Sequence, residues 1–379
     1  MKPIYSLLAL SFLIIISSGC KKNTDGSSDA QTLKFISGDI YFNSGLNTLC
    51  QTSDNGFAIA ALVGRYRIYV AKTNSSFDVQ WSKIFGSNIY DVGGIVESSD
   101  KGFVIISNFH DTTYRPEKTY VDLIKLNPSG NFLWEKKYAF RYQYNTGFAL
   151  RETPDKGFIV TTVHDEIDNQ GSNFIELFKV NSNGDSLWSR DYNDHYSTSG
   201  HDIQITSDNG YIAVGNEIVL KTDSLGNKQW DQYFAPVTFT NVRILPDGSY
   251  IVLGMKDVST YTSTNGLDYI LMKFDPSGTK LWEKLYDVGD HEWSANLCLT
   301  PEGGFIFSGM TDIESGNNDE VVIIKTDGAG NELSVKTINL GRDPEAWGLI
   351  WQNGSYVYYG GTTLSNGLAY YLMLMRFNM

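Results

Sequence analysis

A short signature recurs seven times along this chain, and it leaves few architectures open. An acidic or amide residue, a Gly and an aromatic that opens an apolar run stand at SDNGF (53–57), SDKGF (99–103), PDKGF (154–158), SDNGY (207–211), PDGSY (246–250), PEGGF (301–305) and QNGSY (352–356). A period of about fifty residues marks a repeat architecture, in which one supersecondary unit buries its apolar face only against its neighbours. A second signature follows each first one: a basic residue ends an apolar strand, and Trp comes nine positions later. The pairs are Lys72–Trp81, Lys125–Trp134, Lys179–Trp188, Lys221–Trp230 and Lys273–Trp282; Lys325 keeps the spacing but meets Ser334, and Arg376 is the seventh basic residue.

Each unit reads as four strands, A to D. In the third, GFALRETPD is strand A, FIVTTV strand B, NFIELFKV strand C and DSLWSRDY strand D. Asp-Lys-Gly makes the A–B hairpin, with Gly expected to supply the positive φ. Asn-Gly or Ser-Gly makes the C–D turn. Helical periodicity is absent, and the 36 Gly, 23 Tyr and 20 Phe suit short strands joined by tight turns. The count predicts an all-β, seven-bladed β-propeller with four antiparallel strands per blade. The seventh unit stops after strand C. TLKFISG (32–38) aligns with WSKIFGS (81–87) and puts Thr32 at the Trp position, so the N-terminal strand is expected to close the last blade.

Residues 1–19 read as a targeting segment: Lys2 is the charged n-region, and the apolar run Leu7–Ile16 is too short to span a bilayer comfortably. The run ends in Ser17-Ser18-Gly19-Cys20, which resembles the lipobox of bacterial lipoproteins, with Ser17 where Leu is common. The resemblance implies lipidation of Cys20; the plainer alternative is a secretory signal with an incidental Cys. The expected organisation is a signal peptide (1–19), a flexible tether carrying Cys20 (20–30) and a propeller (31–379), on a monomer in the bacterial cell envelope. An outer-membrane position is expected, on the periplasmic or surface face. The formal charge of −13 disfavours nucleic acid, whose phosphates would be repelled. Cys50 and Cys298 stand seven residues before their signature aromatics, on units one and six, where no disulfide is expected.

The repeated residues read as structural. One Trp per unit on the outer strand fills the gap to the next unit, and each turn Asp can pair with the basic residue of strand C. Function is expected on the other face, where the D–A and B–C connections break the repeat. All five His (110, 164, 195, 201 and 291) fall there. The expected ligand-binding residues are Asp91, Tyr144, His201, Asp202, Trp293, Glu345 and Trp347, because aromatic faces with a few polar groups suit a sugar or a peptide. No metal or cofactor site is expected.

The units resemble the kelch-like repeat β-propellers of exported bacterial proteins. KLNPSGNFLW (125–134) is also similar to the tryptophan-docking motif of quinoprotein dehydrogenase propellers. Those enzymes have eight blades, a quinone and a calcium; this chain counts seven units and lacks adjacent cysteines, so the resemblance implies the fold and not the cofactor. Two functions stay open: a binding or scaffold lipoprotein whose ligand is a glycan or a protein, and a glycan hydrolase or lyase using Asp91, Asp202 and Glu345 at the channel mouth.

Overall fold

The computed structural model describes residues 32–37, 44–64, 66–113, 118–140, 144–165, 173–192, 194, 198–259, 266–289, 292–312, 319–339, 342–363 and 370–379. Within a unit the strands differ in what they bury. Strand B of unit one, FAIAALV (Phe57–Val63), is buried along almost its whole length, whereas strand D, VQWSKIF (Val79–Phe85), is largely exposed. A strand packed on both faces needs a continuous apolar run, and an outer strand does not. The cores accordingly lie between units: Ala58 and Ile68 of unit one pack with Phe103 and Ile124 of unit two, and Phe57 and Ile59 pack with Val357 and Tyr359 of unit seven. The last contact brings the ends of the repeat together as a ring.

The chain is an all-β propeller of six blades, not seven. Four of its sheets have four strands, one has five and one has six. The correction lies at units four and five. Strands B and C of unit four run on as Tyr211–Thr222, and strand D continues into strand A of unit five as Lys228–Ile244. Asn216 pairs with Thr238 across them, so the two units share one six-stranded sheet. This is the place where the signature aromatics come closest together, Tyr211 and Tyr250, and where no loop remains to separate two sheets.

The extra strand of the five-stranded sheet comes from unit one. Its strand A is split. Leu49–Gln51 pairs antiparallel within its own unit, while Ser44–Asn47 pairs parallel with Ile89–Glu97 of unit two. The last blade is completed by Thr32–Ser37, which pairs antiparallel with Tyr370–Phe377. Thr32 stands opposite Arg376, the register in which Trp81 stands opposite Lys72. That pairing covers a strand edge that would otherwise be open.

The repeated residues have physical tasks at the turn face. Trp81, Trp134, Trp188, Trp230 and Trp282 each lie under the C–D turn Gly of the next unit; a Cβ on Gly130 would stand 2.7 Å from the Trp81 ring. Lys72 bonds both carboxylate oxygens of Asp54 at 2.9 Å, Lys179 and Lys221 also bond both oxygens of Asp155 and Asp208, and Lys125 pairs with Asp100 through Oδ1 (2.8 Å). Lys325 instead donates to Met379 O (2.9 Å), and Arg376, whose turn offers Asn353 in place of Asp, donates to Ser75 O and Gln352 Oε1 (both 2.7 Å).

The turn glycines act differently from the expectation. In units one to four the positive φ belongs to the preceding residue: Asn55 (63°), Lys101 (66°), Lys156 (67°) and Asn209 (61°). The Gly is needed for room, since a Cβ on Gly157 would stand 2.2 Å from Val180 O and 2.4 Å from the Lys179 ammonium.

Candidate functional site

The inner strands surround a channel, and their penultimate residues form a layer at its turn end. Cys50 closes Leu49–Gln51 in this way, Val96 Ile89–Glu97, Arg151 Tyr144–Glu152, and Arg243 the long strand Lys228–Ile244. All four stand seven residues before their signature aromatic. A cavity of about 210 Å³ occupies this level, with Ile95, Val96, Leu349 and Ile350 as its apolar wall and Arg151, Arg243 and Asn296 among its polar lining.

Asp202 holds the two arginines. Its carboxylate is fully buried; Oδ1 accepts from Arg151 Nη2 (2.6 Å) and from Ile203 N (2.9 Å), and Oδ2 accepts from Arg243 Nη1 (2.8 Å) and Val242 N (3.2 Å). Each arginine also donates through Nη1 to a carbonyl of its own strand, Leu150 O and Val242 O, at 2.8 Å. Two guanidinium groups on one carboxylate leave one net positive charge. Burial draws the Arg151 guanidinium below its ordinary pKa, Asp202 acts against that, and Arg243 adds to it. A guanidinium carries five N–H donors. The bonds of Arg243 all start from Nη1, so its Nε and Nη2 have no partner among the described residues. Burial pushes the Cys50 thiol up to about 12, which leaves it an inert thiol, and Cys50 and Cys298 are both free.

The loop end of the channel is built differently. Segment Ser44–Asn47 packs against strands Ile89–Glu97, Tyr144–Glu152, Glu292–Leu299 and Arg342–Gln352, and Asn47 Nδ2 donates to His201 O (3.3 Å). Unit one thus reaches unit four across the axis. His201 Nδ1 lies 2.8 Å from Phe239 O, which requires the proton on that nitrogen, and Nε2 accepts from Ser199 (3.0 Å). Burial lowers its pKa, and Phe148 meets the ring edge-on at 5.2 Å. Asp91 accepts from Val92 N (2.7 Å) and Asn108 Nδ2 (3.4 Å), and burial pushes its carboxyl up to about 6. Glu292 is buried too; Val288 N and Thr311 donate to Oε1, Oε2 has no partner, and burial pushes the group up to about 7.

Of the residues expected from sequence, Asp91, His201 and Asp202 have described side chains. His201 and Asp202 are chain neighbours with separate tasks, and no hydrogen bond or ion pair joins Asp91 to either among the described residues. Tyr144, Trp293, Glu345 and Trp347 sit in inner strands, with side chains outside the described residues. Cys20 also lies outside them. Arg151 and Arg243 were not expected. Aligning the seventh residue before each aromatic, which picks out Cys50 and Cys298, also picks out both arginines. Among the described residues no three His, Cys, Asp or Glu side chains are grouped as a metal site.

No family model and no curated protein sequence matches the chain. In fold it is similar to the WD40 domain of Pan2 from Neurospora crassa, at 9% identity and a TM-score of 0.53 over 86% of this chain and 88% of that one. A protein of unknown function from Bacteroides caccae aligns at 12% identity and a TM-score of 0.47, over 71% of this chain and 90% of that one. Another from Dyadobacter fermentans aligns at 9% and 0.49, over 77% and 96%. At 9% identity the likeness to the Pan2 domain is one of fold.

Proposed function

We propose that this protein is a non-catalytic binding module of the bacterial cell envelope, anchored by a lipid on Cys20, with a glycan or protein ligand on the loop face. The observation that carries the reading is the saturation of Asp202. Four donors occupy its carboxylate, so it has no lone pair directed at a substrate. His201 and Asp91 are likewise tied into the framework. A hydrolase needs two carboxyl groups free to act on one bond, and a binding surface does not. The envelope address rests on the apolar run ending at Cys20, and the loop-face ligand on the unrepeated aromatics Tyr144, Trp293 and Trp347 of the inner strands, with the acids Asp91 and Glu345.

Two measurements test this. Cys20→Ala is expected to move the protein from the membrane fraction to the soluble envelope fraction; retention of the variant on the membrane overturns the anchor. A glycan and peptide array read for both binding and product is expected to give a hit that is bound and not cleaved, and that Trp293→Ala with Trp347→Ala weakens. Turnover of the hit, or binding indifferent to the double change, overturns the rest.

A further inference from the structure

We propose that the turn end of the channel is a second site, which takes a small carboxylate with an apolar body. The charge sets the first half of that description. Arg151 and Arg243 bring two positive charges to one negative charge on Asp202, which lies behind them, and among the described residues the cavity lining contains no acid. The unmatched charge faces the cavity: the Arg151 and Arg243 side chains are 22% and 24% exposed, whereas Asp202 is wholly enclosed. Among the described residues Arg243 Nε–H and Nη2–H have no partner, and they form the edge of a guanidinium that receives a carboxylate through two parallel bonds. Asp202 fixes both arginines in place, so little side-chain freedom remains to be lost when an anion arrives.

The walls set the second half. Ile95, Val96, Leu349 and Ile350 line the same cavity, and they offer nothing to a hydrated ion and suit a hydrocarbon group. The volume, about 210 Å³, is enough for an aryl or branched aliphatic acid. One surplus charge matches a monoanion. Inorganic phosphate would bring more charge than the site neutralises and no apolar surface. The Asn47–His201 contact crosses the loop end, so the ligand enters between the A–B turns, on the face opposite the proposed glycan or protein surface.

The test is calorimetric titration of the full-length protein with phenylacetate, phenylacetamide and inorganic phosphate. Phenylacetate is expected to bind, with the neutral amide weaker by about 10-fold to 100-fold, the span of one or two charge-assisted hydrogen bonds. Phosphate is expected to bind no better than the amide. Arg243→Met leaves Asp202 paired with Arg151 and is expected to lose a similar factor. Val96→Phe fills the cavity without touching the charges and is expected to abolish binding with the fold retained by circular dichroism. Absence of phenylacetate binding, equal binding of acid and amide, or binding unchanged in both variants overturns the site. The Trp293→Ala, Trp347→Ala variant is expected to bind phenylacetate as the wild type does, which separates this result from that for the loop face.

Discussion

The two faces of the ring use the same residue types to opposite effect. On the turn face the carboxylates are half-exposed and paired. Lys72 and Thr52 hold Asp54 at about 2, and at Asp100 and Asp208 burial acts upward but bonds from Lys125 and Ser98, and from Thr206 and Lys221, outweigh it, again to about 2. Toward the loop face, burial lifts Asp91 to about 6 and Glu292 to about 7, and it raises Asp122, neither of whose oxygens has a hydrogen-bond partner. Repetition accompanies the first pattern and irregularity the second. The turn face contributes stability in each unit, and the loop face spends part of it on buried acids, as sites under other constraints do.

The largest expected effect comes from breaking the turn face. Gly157→Val would push a side chain into Val180 O and the Lys179 ammonium. A loss of about 3 kcal/mol is expected in urea unfolding. Gly303 has a φ of 83° and nothing within 4 Å of an added Cβ, so Gly303→Ala is expected to lose only the backbone term of about 1–2 kcal/mol. Equal losses at the two positions would mean that conformation and not space sets the turn.

A smaller effect separates the faces by pH. Asp54, Asp100 and Asp208 have pKa values lowered from 3.8 to about 2, so the unfolded chain takes up protons first and stability falls as pH drops from about 4 to 2. Asp91 and Glu292 are raised, so the folded chain keeps protons that the unfolded chain has released, and stability falls as pH rises from about 4 to 7. Melting temperature is therefore expected to peak near pH 4–5. Asp91→Asn with Glu292→Gln should flatten the upper limb; for Asp91, whose pKa rises from 3.8 to about 6, the gain at pH 8 is roughly 3 kcal/mol. An upper limb unchanged in the double variant would assign the trend to other groups.

The smallest effect lies within the repeat. Unit five has Ser249 where units one to four have the close-packed Gly, and there Lys273 stands 3.4 Å from Asp247, farther than in the other pairs. Ser249→Gly is expected to let the ammonium approach, adding under about 1 kcal/mol because Asp247 is exposed. No gain would show that the hydroxyl bond from Ser249 to Asp247 already replaces the pair.

The turn face was legible in sequence because its contacts are local and repeated. Lys72 pairs with Trp81, Lys179 with Trp188 and Lys273 with Trp282 because a hairpin of constant length puts position nine opposite the basic residue. Closure by Thr32 was legible for the same reason. The blade count was not, because it turns on whether the connections at Asn216–Glu217 and Phe234–Val237 interrupt the hydrogen bonding, and the signatures persist on either side of them. The channel arginines carry no local motif. Arg151 and Arg243 matter through Asp202, which lies 51 and 41 residues away along the chain.

The pairing of Thr32–Ser37 with Tyr370–Phe377 joins residues 334 to 344 positions apart. It makes folding wait on synthesis. The ring has no complete last blade until nearly all of the chain is available, and until then Thr32–Ser37 is an unpaired strand able to pair with another copy. A closure of such long range is also slow to find, since the entropy of a large loop is lost before any contact repays it. Crowding of half-made chains, more than heat, is the condition under which this architecture is expected to fail.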